Sequence, residues 1–229
     1  GPDVWEPVAR GFAHRGWRCV LLDDSSGIPT APLDFSGWVE SVASSVATRS
    51  APPVLIGHDA GALVALAIAQ QGGPRAVVAV APLLEGAAPL LAPAARWLSR
   101  LRRSPLPPPS PERPYRRIAS DPAALRLRSV LTAEPPARVA SLRGAVLAPG
   151  APVVPLLLAA QRDDAVVPRA LVEITARGIE ADYRLLPGGH WALLEEAIDP
   201  WMSELHRWII RRVGSQILML RGDEDLREE

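Results

Sequence analysis

Apolar, strand-like runs alternate with amphipathic stretches along most of this chain, and that alternation restricts the fold more than any other feature. "DVWEPVARGFAHRG" has apolar residues at helical spacing and a Gly stop, so it predicts a helix. "RCVLLD" predicts a strand and "DFSGWVESVASSVATR" a helix. "PVLIGHD" predicts a strand that runs straight into the helix of "GALVALAIAQQGG", which stops on Gly72-Gly73. "RAVVAVAPL", "VVPLLLAAQRDD" and "ADYRLLPGG" predict further strands, and "PRALVEITARG" predicts the helix between the last two, with Pro168 near its start. In "DPWMSELHRWIIRRVG" Trp201, Leu205, Trp208 and Ile209 form an apolar stripe, and Arg211-Arg212 suit the C-terminal end of a helix. Continuously apolar strands alternating with helices define an α/β fold, a mostly parallel sheet covered on both faces. Ligands of such folds bind at the carboxyl ends of the strands.

Residues 83 to about 148 break the alternation. They contain "RWLSRLRRSPLPPPSPERPYRR", whose Pro-rich centre excludes a regular helix. A segment this long between two strands reads as an inserted helical lid, 83–148, on a core made of 1–82 and 149–229.

The composition narrows the classes of partner. At 229 residues the chain suffices for one large α/β domain. Hydrophobic residues at 48% and charged residues at 22% are a globular mixture, not a disordered one. Lys+Arg and Asp+Glu balance at 25 each, which gives no reason to expect nucleic acid or an anionic membrane as partner. The single cysteine, Cys19, allows no internal disulfide, and "GPDVWEPVARG" is not a signal peptide, so a cytoplasmic location is expected. Within the apolar "RCVLLD", Cys19 is expected to be a buried, inert thiol. "GAVLAPGAPVVPLLLAAQ" is interrupted by Pro149, Pro152 and Pro155 and reads as a loop feeding a buried strand, not as a membrane span.

Three strand ends carry the chemistry. Gly57-His58-Asp59-Ala60-Gly61 lies where a strand turns into a helix. Asp163 and Asp164 follow a later strand in "QRDDAVVP", and His190 follows the next in "LPGGHWALLEE". The order nucleophile, acid, histidine, carried by "VLIGHDAGALVALAIA", "DDAVVP" and "GGHWALLE", resembles the α/β-hydrolase superfamily over nearly the whole chain. The nucleophile position usually holds Ser and here holds Asp59. A carboxylate is already ionised at neutral pH and can attack an sp³ carbon to form an alkyl ester. In that scheme His190 activates the water that cleaves the ester, with Asp164 orienting its ring. Within the superfamily an Asp elbow resembles the epoxide hydrolases and the haloalkane and haloacetate dehalogenases. The resemblance implies roles for Asp59 as nucleophile, His190 as base and Asp164 as acid, with Asp163 and Glu85 as other seats for the acid. It implies a small-molecule substrate; no metal or organic cofactor is expected, because the constellation contains no ligand cluster at metal-binding spacing. Two other readings stay open: a non-hydrolytic relative such as an isomerase or lyase using Asp59 and His190 as an acid-base pair, and an inactive binding protein in which Asp59 is a replaced serine.

Further residues are expected around the pocket. Trp191 stands next to the base and His58 next to Asp59, although a histidine there is more often a packing residue than a catalyst. Epoxide hydrolases hold the epoxide oxygen with two lid tyrosines, and this chain offers Tyr115 in the lid, since Tyr183 falls on a strand. Trp97 is a candidate halide contact, and Arg100, Arg102, Arg103, Arg116 and Arg117 are candidates for a substrate carboxylate. Asp23 is expected to order a turn, and His14 and His206 to be structural.

The chain also departs from the family pattern. Relatives begin with strands before the first helix, and the strand between those matching "RCVLLD" and "PVLIGHD" is missing here. "ILMLRG", near the C-terminus, reads like that strand and its following turn, with Arg221 and Gly222 in the place of a His-Gly pair. One expectation is therefore a circular permutation in which residues 216–221 insert into the sheet. Backbone N–H groups at Ala60 and just after Gly222 would then form an oxyanion hole. The alternatives are an N-terminally truncated hydrolase with a disordered acidic tail, and a strand exchanged between two copies in a homodimer.

Overall fold

The computed structural model of the chain describes residues 2–22, 34–84, 151–164, 166–194 and 198–225. The strands are β1 (Val54–His58), β2 (Ala76–Val80), β3 (Leu156–Gln161) and β4 (Asp182–Leu186). They lie side by side in chain order, and every neighbouring pair is parallel. Every residue of β2 and β3 is buried, so both faces of the sheet are covered at its centre. This is the doubly covered α/β fold that the alternation predicts.

The helices are α1 (Glu6–Ala13), α2 (Phe35–Ala47), α3 (Ala60–Gln71), α4 (Arg169–Gly178) and α5 (Ile198–Asp225), with a 3-10 turn, Pro2–Trp5, ahead of α1. The cover over the sheet comes from α3, packed on β1 and β2, and α4, packed on β3 and β4, while α1 packs on α5. Trp201, Leu205, Trp208 and Ile209 on α5 are all buried, as their spacing requires. Full burial of an aliphatic side chain such as Leu205 contributes about 1.5–3 kcal/mol. A Cβ at Gly11 would come within 2.2 Å of the Met202 sulfur, so any larger residue there would require the flexible Met202 side chain to move aside.

Polar locks fix the ends of these elements. The Asp34 carboxylate caps α2 by accepting the Gly37 N–H at 2.9 Å. Asp182, the first residue of β4, accepts the Trp208 indole N–H at 2.7 Å and two guanidinium N–H bonds of Arg212, at 2.8 and 2.6 Å. Partial burial works against the charge of Asp182, but these donors and the nearby Arg184 hold its carboxyl below the usual range. At the end of α4 the Ala181 N–H bonds the Ala176 carbonyl and the Glu180 N–H bonds the Arg177 carbonyl, which is a Schellman motif. Its left-handed position is Glu180, at φ 56°, where glycine is free of side-chain strain. Glu180→Gly is expected to stabilise the fold by roughly 0.5–1 kcal/mol. Chemical denaturation would read this as a higher midpoint at unchanged slope.

Three expectations are corrected. Residues 18–22 have no regular structure, so "RCVLLD" is not a strand across its described part. Val20, Leu21 and Leu22 are 50%, 37% and 41% exposed, and Cys19 is exposed instead of buried. A strand needs a partner, and among the described residues β1 pairs only with β2. Residues 216–221 do not enter the sheet, which overturns the permutation, because α5 runs unbroken through them to Asp225. Gln216, Leu218, Met219, Leu220 and Arg221 are good helix formers, and extending an existing helix gains a hydrogen bond per residue without a new nucleus. No helix among the described residues is long and apolar enough to cross a membrane. The expected lid falls outside the described residues apart from its first two positions, Leu83 and Leu84, as does Asp23.

Candidate active site

The apolar β1 strand ends at His58, and the chain reverses sharply into α3. Asp59, at the tip, has φ 56° and ψ −121°, a backbone conformation that costs a non-glycine residue about 1–3 kcal/mol. Main-chain bonds hold it there. Its N–H donates to the Val80 carbonyl at 3.1 Å, and its carbonyl accepts from Ala62 N–H at 3.1 Å and Leu83 N–H at 3.3 Å. The turn is so tight that a Cβ on Gly57 would lie 2.3 Å from the Gly61 carbonyl oxygen. Gly57 is therefore required sterically, whereas a Cβ on Gly61 would meet open space.

The other two groups come from the carboxyl ends of β3 and β4. Arg162 N–H donates to the Leu186 carbonyl at 2.9 Å and Asp163 N–H to the Gly188 carbonyl at 3.0 Å, so the two exit loops are stitched together. This brings Asp164 Oδ2 to 2.9 Å from His190 Nδ1. The second oxygen, Asp164 Oδ1, accepts the Val166 and Val167 N–H groups at 2.7 and 2.8 Å. The Asp164 and His190 side chains are 1% and 2% exposed, so the pair is enclosed by protein.

His190 Nε2 faces Asp59 Oδ1 at 3.9 Å. The Asp59 side chain is 34% exposed, open to an incoming reactant in a way its partners are not. Burial pushes the Asp59 carboxyl above the usual range, with Asp164 adding to the rise, although the His190 ring and the Ala60 N–H act the other way. Burial disfavours the charged form of His190, but the Asp164 hydrogen bond and the charges of Asp59 and Asp164 outweigh it and raise the imidazole. A carboxylate, an imidazole and a second carboxylate thus stand in line. The outer carboxylate is reachable, and the inner one sets the ring's tautomer: with Nδ1–H donated to Asp164, Nε2 is left as the lone-pair nitrogen toward Asp59.

The structure brings Asp59, His190 and Asp164 together, with Asp164 rather than Asp163 on the histidine. Ala60 is the first residue of α3, next to Asp59. Gly222 lies in α5, so it does not follow a sheet strand and the loop donor expected beside it does not form; a helical amide is engaged along its own axis. His58 is buried, and its Nε2 is 2.7 Å from the His190 carbonyl, so it is not a free pocket wall. Trp191 packs at the same place, edge-on to His190 with ring centres 5.2 Å apart and tilted against His58 at 5.3 Å. Trp97, Tyr115, Glu85 and the lid arginines lie outside the described residues. His206 packs against the rings of Phe12 and Trp17, away from this cluster, and His14 is exposed. Among the described residues no group of three or more His, Cys, Asp or Glu could hold a metal ion.

Residues 1–201 match the family model described as "Alpha/beta hydrolase family". Solved structures of the same fold include a thermophilic esterase from Thermogutta terrifontis, at TM-score 0.66 and 16% identity, covering 92% of this chain and 85% of that one. They include a structure from work on LipS and LipT, two metagenome-derived lipolytic enzymes (TM-score 0.64, 17% identity, 92% of this chain and 89% of the other). Mouse alpha/beta hydrolase domain-containing protein 10 is also similar, at TM-score 0.56 and 19% identity over 81% of this chain and 75% of its own. At these identities the likeness bears on the fold alone. None of the curated proteins matches the chain in sequence.

Proposed function

The chain belongs to the alpha/beta hydrolase family, and on that premise we propose that it hydrolyses an epoxide or a carbon-halogen bond through Asp59 as nucleophile. The single observation that carries the reading is the half-open Asp59 carboxylate set 3.9 Å from a histidine whose far nitrogen is bonded to a buried aspartate. An Asp59 oxygen attacks the electrophilic sp³ carbon while the carbon-halogen or carbon-oxygen bond breaks; a halide departs, whereas an opened epoxide keeps its oxygen on the alkyl group, where it takes a proton from water and becomes a hydroxyl. The product is an alkyl ester on Asp59. His190 then takes a proton from a water through Nε2 as that water attacks the ester carbonyl carbon. Collapse of the tetrahedral species releases the alcohol and restores the carboxylate. The Ala60 N–H, first in α3 and beside Asp59, would face the oxyanion of that step.

Forming the ester removes the negative charge of Asp59, which is one of the causes that raises His190. The imidazole therefore becomes easier to keep neutral at the step that needs it as a base. The elevated Asp59 carboxyl is in turn a more basic, hence stronger, nucleophile once ionised.

His190→Gln is the test. It should permit the ester to form and block its hydrolysis. Incubated with small epoxides or haloacetates, the variant is expected to gain the mass of the alkyl fragment, mapped by peptide digestion to Asp59. A folded variant that takes up no mass from any of them would shift the reading to acid-base chemistry without a covalent step. The direct approach of His190 to Asp59 would serve an isomerase or lyase of that kind.

A further inference from the structure

His58 is a histidine in an otherwise apolar strand, and it is buried. A buried imidazole needs a partner, and this one spans 132 residues of sequence to find it, at the His190 carbonyl. A carbonyl only accepts, so Nε2 of His58 carries the proton and donates it. The two imidazole rings lie with centres 4.7 Å apart, and Trp191 touches both. Burial, and then the neighbouring His190, hold His58 well below the ordinary histidine range, so it stays uncharged while His190 titrates.

His190 is thus gripped at two points. Asp164 holds Nδ1 and sets the rotation of the ring. His58 holds the main chain and sets where the ring stands relative to Asp59, the residue that follows His58 directly. We propose that His58 is a positioning residue: its Nε2–H, donated to the His190 carbonyl, sets the distance between the base and the residue that carries the covalent ester. The inference rests on the reading of Asp59 as nucleophile and His190 as base. It adds that the hydrolytic half of the cycle, and not the alkylation half, depends on His58. Alkylation needs only the Asp59 oxygen, whereas hydrolysis needs Nε2 within hydrogen-bond reach of a water on the ester. A displacement of about 1 Å at that point costs on the order of 10²-fold.

The test compares His58→Leu with His58→Gln, whose longer amide can still donate to the carbonyl. With a small epoxide or haloacetate, His58→Leu is expected to alkylate Asp59 at a rate within about threefold of the unmodified protein. It should hydrolyse the ester roughly 10–100-fold more slowly, so that adduct accumulates by intact mass although His190 is present. His58→Gln should restore hydrolysis. If His58→Leu does not fold, His58→Asn, whose amide is shorter, serves the same comparison. Hydrolysis at the unmodified rate in a folded His58→Leu would overturn the proposal. A second readout is independent of turnover: the titration of His190, followed by NMR, should move in His58→Leu because its distances to Asp59 and Asp164 change. An unchanged titration would overturn the positioning role even if the His190→Gln protein takes up no alkyl group, so the two failures are separable.

Discussion

Asp59→Ala is expected to abolish turnover and to leave a folded protein. The variant keeps a Cβ, so the strain at φ 56° is unaltered, and the three main-chain bonds that fix the turn remain available. What disappears is the carboxylate proposed to form the covalent bond. Removal of a nucleophile costs on the order of 10⁶-fold in kcat, and steady-state turnover beside thermal unfolding would measure both halves of the statement. Asp59→Gly should be as inactive but more stable. Relief of the backbone conformation returns about 1–3 kcal/mol, less roughly 0.4–1 kcal/mol for the freer unfolded chain. A rise in Tm with total loss of activity would show stability and chemistry opposed at this one residue. Turnover retained in Asp59→Ala would move the chemistry elsewhere.

Asp164→Asn is expected to lose about 10³–10⁴-fold in kcat with little change in fold. The Asn carbonyl oxygen can still accept from the Val166 and Val167 N–H groups, as Asp164 Oδ1 does. Its NH₂ group then faces His190 Nδ1, where the carboxylate Oδ2 stood. An NH₂ donates, so Nδ1 must turn acceptor and the proton moves to Nε2, the nitrogen that has to take a proton from water. The pH profile separates this from simple damage. His190 is raised in the unaltered protein, so the neutral, base-competent form accumulates above the usual histidine range and the rising limb of activity lies on the alkaline side of it. Loss of the Asp164 bond and charge lowers the imidazole, so the residual activity of Asp164→Asn should rise at lower pH. A limb that stays in place would mean that His190 is not the titrating base.

Local pattern made much of this site legible. Asp59, Asp164 and His190 each follow an apolar strand run, and in a parallel sheet all strand ends of one sense meet at one edge. Chain order alone therefore brings them together. The regions that failed to read depend on partners. Arg18–Leu22 has strand composition but no neighbour among the described residues, so its side chains stay exposed. The "ILMLRG" run is short and apolar, a pattern that does not distinguish strand from helix, and the preceding helix decided it. The role of His58 was hidden because its partner lies on another strand's exit loop. The available signal was a histidine inside an apolar run, which burial obliges to find an acceptor.

The elbow holds its shape through Asp59 N–H to Val80, Ala62 N–H to Asp59 and Leu83 N–H to Asp59, and all three are main-chain bonds. No side-chain identity is needed to make the turn, only a small Gly57 to let the helix pass. Structure and reactivity are therefore encoded separately at this position. Over evolutionary time one Cβ-bearing residue at the tip can replace another with these main-chain bonds intact and the same backbone strain, so that a single codon can change the reactive group without first unfolding the scaffold.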